Sequence, residues 1–300
     1  MKRLMKMAND KNELQKSILK TLAYAEIFDF PLTSEETHRF LISGFSCSPE
    51  EIQRNLRDMR DMGELGEKEG YYFLEGKEEE IEERKKREIY SKEKLEKAKK
   101  LTKYLKSIPF VKLIAVTGSL AVKNAKEEDD VDILIVTSAG RLWLTRLLVT
   151  TFLVLTNNYR RQKNIKNKIC PNMYLDLNNL LVEPAFQNLF TAHEVAQIAP
   201  ILNKEKTYER FIYENRWVKK YMGNMRWFGG YEGEEEKKRN AFWDTLEKLA
   251  FRFQYNLMKK KMTKEVVGEG FARFHPGDVS LKVLSEFAIR CKKWREEGEG

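Results

Sequence analysis

Residues 111–137 read VKLIAVTGSLAVKNAKEEDDVDILIVT. An apolar run at 113–116 stops at Thr117-Gly118-Ser119, and after ten intervening residues Asp130-Val131-Asp132 leads into a second apolar run at 133–136. Both runs predict short buried strands. Successive side chains of a strand point to opposite faces, so Asp130 and Asp132 are expected to project side by side from one face at a strand edge. Two adjacent carboxylates repel unless a cation lies between them. Oxygen donors of this kind suit a hard divalent ion, above all Mg2+, held by one or two carboxylates and the phosphates of a substrate. Gly118 permits a tight turn and a close backbone approach, so backbone N–H groups and the Ser119 hydroxyl could hold a terminal phosphate. The plainer alternative is a solvated turn opening a strand, with Gly-Ser as an ordinary tight turn.

The pattern of Gly-Ser, a ten-residue spacer and Asp-x-Asp between two strands resembles the signature of the polymerase-beta-like nucleotidyltransferase superfamily. That resemblance implies an α+β fold with a small mixed sheet flanked by helices. It also implies transfer of a nucleoside monophosphate from a nucleotide triphosphate such as ATP to an acceptor hydroxyl, with two Mg2+ ions. Carried over, Gly118 and Ser119 bind the triphosphate while Asp130 and Asp132 bind the metals. Where relatives continue with a small polar Arg-x-Gly element, this chain reads Leu120-Ala121-Val122-Lys123-Asn124, so acceptor contacts do not transfer. The family usually adds a third acid on the next strand, as a metal ligand and to help deprotonate the attacking hydroxyl. On a strand expected at residues 169–177, Asp176 is the leading candidate for metal and catalytic work. It lies at the far end, and Asn172 or Tyr174 on the same face is the alternative, with Glu183 in reserve. Arg141, after the second strand, is expected near the edge where a triphosphate sits.

Around this centre the chain divides, on sequence, into a winged-helix-like module at 1–76, a nucleotidyltransferase domain with a leading connector helix at 77–200, and a C-terminal helical region at 201–300. The first module is expected from helices at 13–28, 35–42 and 48–62 and a hairpin within 64–76. Its third helix would offer Gln53, Arg54, Arg57 and Arg60 to DNA, but Glu50, Glu51, Asp58 and Asp61 leave it nearly neutral, which favours docking or packing. Residues 77–107 predict a long helix, acidic first and lysine-rich later, with a buried stripe of Leu95, Ala98, Leu101, Tyr104 and Leu105. Residues 159–168, YRRQKNIKNK, read as a basic surface loop, either a solvated connector or a holder of phosphate or RNA. A helix is expected at 188–201, with His193 a structural residue. Further helices are expected at 208–221, 241–258 and 280–294. Residues 225–236 read as a linker, a lysine cluster follows at 259–264, and 268–278 reads as a loop.

A hydrophobic fraction of 42% supports real cores. A formal charge of +9 favours phosphate-bearing partners, RNA among them. Cys47, Cys170 and Cys291 are few, odd in number and far apart, so neither a disulfide framework nor a zinc site is indicated. No run approaches bilayer length and the start lacks an apolar signal core, so a cytoplasmic protein without membrane contact is expected. The acceptor hydroxyl could belong to RNA, a small molecule or a protein. The reading from a different class is a nucleotide-sensing DNA- or protein-binding regulator with an inactive transferase domain, and a third carboxylate is what separates the two.

Overall fold

The computed structural model describes residues 2–74, 78–228, 240–260, 262, 265–274 and 279–297. The chain opens with α1 (Lys2–Glu26), β1 (Leu32–Thr33), α2 (Ser34–Arg39), α3 (Pro49–Asp61), β2 (Gly66–Lys68) and β3 (Tyr71–Phe73). The strands pair antiparallel in the order β1-β3-β2. Two capping boxes start the short helices, Thr33 with Glu36 and Ser48 with Glu51, each side chain answering the other's backbone N–H. Leu14, Ile18 and Leu22 of α1 meet Ile52, Leu56 and Met59 of α3 and Tyr72 of β3 in one core. Gln53, Arg54 and Arg57 are exposed, while Arg60 is paired to Asp61 at 2.7 Å.

A long helix, α4 (Glu80–Leu105), leads into β4 (Val111–Val116), α5 (Gly118–Ala121), β5 (Val131–Thr137), α6 (Leu142–Leu155) and β6 (Ile169–Asp176). Then come α7 (Leu189–Gln197), β7 (Ala199–Asn203), α8 (Thr207–Glu214), α9 (Ala241–Met258), β8 (Val266–Val267), β9 (Phe271–Arg273) and α10 (Val279–Glu297). The central sheet has six strands in the order β7-β4-β5-β6-β9-β8. β5 and β6 are parallel and the other pairs antiparallel. This is the mixed sheet with flanking helices expected from the sequence.

Two expectations are corrected here. The helix expected at 188–201 stops at Gln197, and residues 199–203 become a strand against β4. Pro200 lacks the N–H that a second ladder needs and is tolerated because β7 is an edge. The C-terminal part is not purely helical either, since β8 and β9 join the central sheet and α9 packs on α6. The glycine pair of the expected linker, the middle of the lysine cluster and residues 275–278 lie outside the described residues.

The sheet has two apolar faces. Val131, Ile133 and Ile135 of β5 face α4, α6 and α9, whereas Leu134 and Val136 face α7 and α8. Strand alternation therefore puts Asp130 and Asp132 on the α7 side.

The apolar stripe expected for the second half of α4 is there in Leu95, Ala98, Leu101 and Leu105, but it is not the whole buried face. Tyr104 is exposed, and the first half buries Arg84, Arg87, Ser91 and Lys94, spaced by three and four on one helical face. These residues hold the spacer of the Gly-Ser/Asp-x-Asp segment. Arg84 donates to the Lys123 carbonyl at 3.0 Å and Arg87 to Asn124 Oδ1 at 3.2 Å. Ser91 accepts from Ala125 N–H, and Lys94 Nζ donates to the carbonyls of Glu127 and Asp129 and to Asn167 Oδ1. Arg84 also pairs with Glu36 of α2 at 2.7 Å and lies 4.0 Å from the centre of the Phe30 ring.

Candidate nucleotide and cation site

Gly118 turns the chain out of β4 with φ +60°, a conformation that a side chain strains. Thr117 N–H donates to the Asp132 carbonyl at 3.1 Å, and a Cβ built on Gly118 would stand 3.5 Å from Asp132 Oδ2. The two halves of the segment thus meet at one end of the sheet. Ser119 is exposed, and its hydroxyl lies 3.4 Å from Asp129 Oδ2. Asp129 is fixed in turn by Lys126 N–H at 2.8 Å.

Asp132 stands opposite Cys170 in the β5/β6 ladder. Donor atoms of Asp130, Asp132 and Cys170 all lie within 4.8 Å of one another. Burial, followed by the charges of Asp132 and Asp130, pushes the Cys170 thiol up, with Arg160 opposing. Arg160, from the basic tract at 159–168, reaches Asp130 Oδ2 through Nε at 2.8 Å. That tract had been read as phosphate- or RNA-holding or as a connector, and Arg160 within it was not singled out.

Asp176 is not brought to this cluster. It pairs with Thr137, five residues along β5 from Asp132, which is about 16 Å on an extended strand. The ladder also skips Asn172: Ile133 pairs with Pro171 and Leu134 with Met173. This bulge reverses the alternation of β6. Tyr174 consequently sinks into the α4/α6 core, Met173 and Leu175 line the other, and Asp176 follows the parity of Tyr174. The Asp176 carboxylate accepts from Gly140 N–H, Asn178 N–H and Asn179 Nδ2. It ties the β6 end to the start of α6. Tyr174 does not share the Asp132 face, for the same reason, and Asn172 stands opposite no residue of β5. Glu183 is exposed ahead of a 3-10 turn, Pro184–Phe186.

Arg141 also stands at the far end. It is buried, pairs with Asp244 of α9 at 2.7 Å and lies over the Phe110 ring. Glu247, one turn further along α9, accepts the N–H groups of Trp143 and Leu144, closing the first turn of α6.

One acid from α7 joins the Asp132 side. Glu194 is exposed, yet surrounding protein pushes its carboxyl up to about 7, first by desolvation and then through the charge of Asp132, with Arg273 opposing. The coupling sets the Glu194 carboxyl within electrostatic reach of Asp132. Nothing in the sequence singled it out, because a lone Glu on an amphipathic helix reads as solvated. Its neighbour His193 is buried and stacked on Tyr24 with ring centroids 4.0 Å apart, the structural role expected for it.

Residues 95–220 match the family model described as a nucleotidyltransferase domain. This part of the chain is a nucleotidyltransferase domain. The match opens within α4, takes in the Gly-Ser and Asp-x-Asp halves, and ends at the 3-10 turn after α8. No curated protein matches the chain. Among the described residues, no helix is long and apolar enough to cross a membrane. The donors beside the nucleotidyltransferase turn fit a divalent cation, with two carboxylates and a thiol in reach of one centre. They differ from the expected set in holding sulfur where a third carboxylate was anticipated.

Proposed function

We propose that this protein transfers a nucleoside monophosphate from a nucleotide triphosphate to an acceptor hydroxyl at the Gly118/Asp132 end of the central sheet. The observation that carries the reading is the approach of Gly118 to Asp132, which gathers a phosphate-holding turn and paired carboxylates at one edge. Gly118 and Ser119 take the triphosphate through backbone N–H groups and the hydroxyl. Asp130 and Asp132 hold a divalent cation, which when bound supplies charge stabilisation for the entering and leaving oxygens. Arg160, now on Asp130, is within the same cluster to meet phosphate oxygens. Glu194, coupled to Asp132 and raised to about 7, takes the proton of the acceptor hydroxyl. Neither Asp176 nor Arg141 takes part in this reading; each fastens the opposite end of the sheet.

The acceptor class follows from charge. The excess of +9 favours RNA or another phosphate-bearing acceptor over a neutral small molecule or a protein hydroxyl. Residues 2–74, helices followed by a three-stranded sheet, read as a winged-helix-like module that docks or packs, since its third helix is close to neutral.

A second reading has one observation in its favour: the place beside Asp132 on β6 holds Cys170 and not an acid. A regulator that binds nucleotide without turnover tolerates that exchange. Incubation of the full chain with each α-labelled nucleotide triphosphate, divalent cation, total RNA and cell lysate separates the two. Label moving to RNA, protein or a small molecule, and lost in Asp130→Asn, supports the transferase. Nucleotide binding with no label in any pool supports the regulator.

A further inference from the structure

Carboxylates and thiols do not serve the same ions, and this cluster contains both. We propose that the cation site selects a borderline divalent ion of the Co2+ or Zn2+ kind over Mg2+, with Cys170 Sγ as the third protein ligand. The inference rests on Asp130 and Asp132 forming a cation site, and adds to it the class of ion and a sulfur donor.

Three features of the fold lead there. Cys170 is opposite Asp132 in the middle of a six-stranded sheet, so the ladder fixes both backbones before any ion arrives. Cys170 precedes the bulge and shares the carboxylate face, Asn172 is skipped in the ladder, and Tyr174 is sent to the other side, so it is Cys170 that β6 sets opposite Asp132. The sulfur and one oxygen from each aspartate then lie within 4.8 Å of one another, near enough for one ion to draw the three side chains together. An ion bonded to both carboxylates at about 2.0–2.2 Å needs only a small side-chain adjustment to bring sulfur to the about 2.3 Å of a metal–sulfur bond. Mg2+ gains nothing there, because it demands octahedral oxygen geometry and dehydrates reluctantly. Borderline ions gain a thiolate bond, and affinity for mixed donor sets rises from Mn2+ towards Zn2+. Binding exchanges the thiol proton for the metal: the S–H bond breaks, the S–metal bond forms, and one proton is released to solvent.

The test is a Co2+ titration of the full-length protein, read by absorption for metal-centred bands and for thiolate-to-metal charge transfer, with proton release followed in weak buffer. Mg2+ competition against Co2+, read by loss of the same bands, gives selectivity. The expected result is a charge-transfer band that saturates with one Co2+. In Cys170→Ser this band is absent, the metal-centred bands persist and affinity drops about tenfold or more. In Cys170→Asp the preference swings towards Mg2+. Saturable Co2+ binding that needs Asp132 but shows no charge transfer, or a band that survives in Cys170→Ser, overturns the sulfur ligand and leaves the carboxylate site standing. A folded wild-type chain that binds no Co2+ overturns both.

Discussion

Arg160 lies across Asp130, with Nε 2.8 Å from Oδ2. The guanidinium is 44% exposed and the carboxylate 17%, so the pair contributes little to folding, on the order of 0–1 kcal/mol. Its effect is on the cluster, where an incoming cation competes with Arg160 for the Asp130 oxygen and an incoming phosphate competes with Asp130 for the guanidinium. Arg160→Ala should tighten divalent-ion binding several-fold while weakening nucleotide binding. Calorimetric titration of each, beside a thermal melt shifted by no more than a few degrees, is the check, and unchanged ion affinity would remove Arg160 from the site.

Glu194 is the α7 acid whose carboxyl feels the charge of Asp132. Glu194→Gln keeps the shape and removes the base, so transfer should slow by roughly 10²- to 10⁴-fold with nucleotide affinity little altered. Steady-state kcat and nucleotide Kd, measured together, decide this. A loss confined to KM would make Glu194 a binding residue.

Lys94 is buried with its ammonium shared among Glu127 O, Asp129 O and Asn167 Oδ1. Burial pushes its pKa down, opposed by the nearby carboxylates. Lys94→Met fills similar space but leaves those acceptors without a donor, a cost of about 2–4 kcal/mol. Urea unfolding should show it. Because Lys94 grips the residues just before Asp130, ion affinity should fall as well, and a variant of wild-type stability would contradict the assignment.

His193 gives stability a pH dependence of definite sign. Burial against Tyr24 lowers it from 6.5 to about 3, so the folded chain keeps it neutral after the unfolded chain has taken a proton. Its contribution is complete above the unfolded value and is lost as pH falls from 6.5 towards 3, by up to about 1.4 kcal/mol per pH unit. His193→Phe retains the stack and removes the titration. The difference in unfolding free energy between wild type and this variant should therefore shrink or reverse below pH 6, and parallel pH curves would show that His193 is not the group responsible.

What could be read in advance follows from how local each signal is. The β4–α5–β5 unit was legible because apolar runs, a glycine and two alternating acids lie within 27 consecutive residues and need no partner to interpret. The third donor was not, because it depends on strand register, which sets Cys170 opposite Asp132. The extra residue, Asn172, then turns Tyr174 and Asp176 away from that face, and no composition rule announces it. Arg160 was hidden in a basic tract where each residue looks like the next. The cationic stripe of α4 was visible in principle, since Arg84, Arg87, Ser91 and Lys94 repeat by three and four. It was passed over because buried stripes are sought among apolar residues. Pro200 argued against a strand and was overridden by an edge position.

The grip of Arg84 also sets how small a working piece of this protein can be. Its guanidinium sits at 1% exposure between Glu36 and Phe30 on one side and the Val122 and Lys123 carbonyls on the other. Cutting away residues 1–74 would strip it of the Glu36 carboxylate and its aromatic platform, a deficit of several kcal/mol set against a typical total of 5–15. The matched segment 95–220 begins beyond Arg84, Arg87, Ser91 and Lys94 and so leaves behind every side chain of α4 that grips the spacer. Excised at those limits it would lose the fixed separation between its turn and its acids, which makes the indivisible unit of this protein larger than the matched domain.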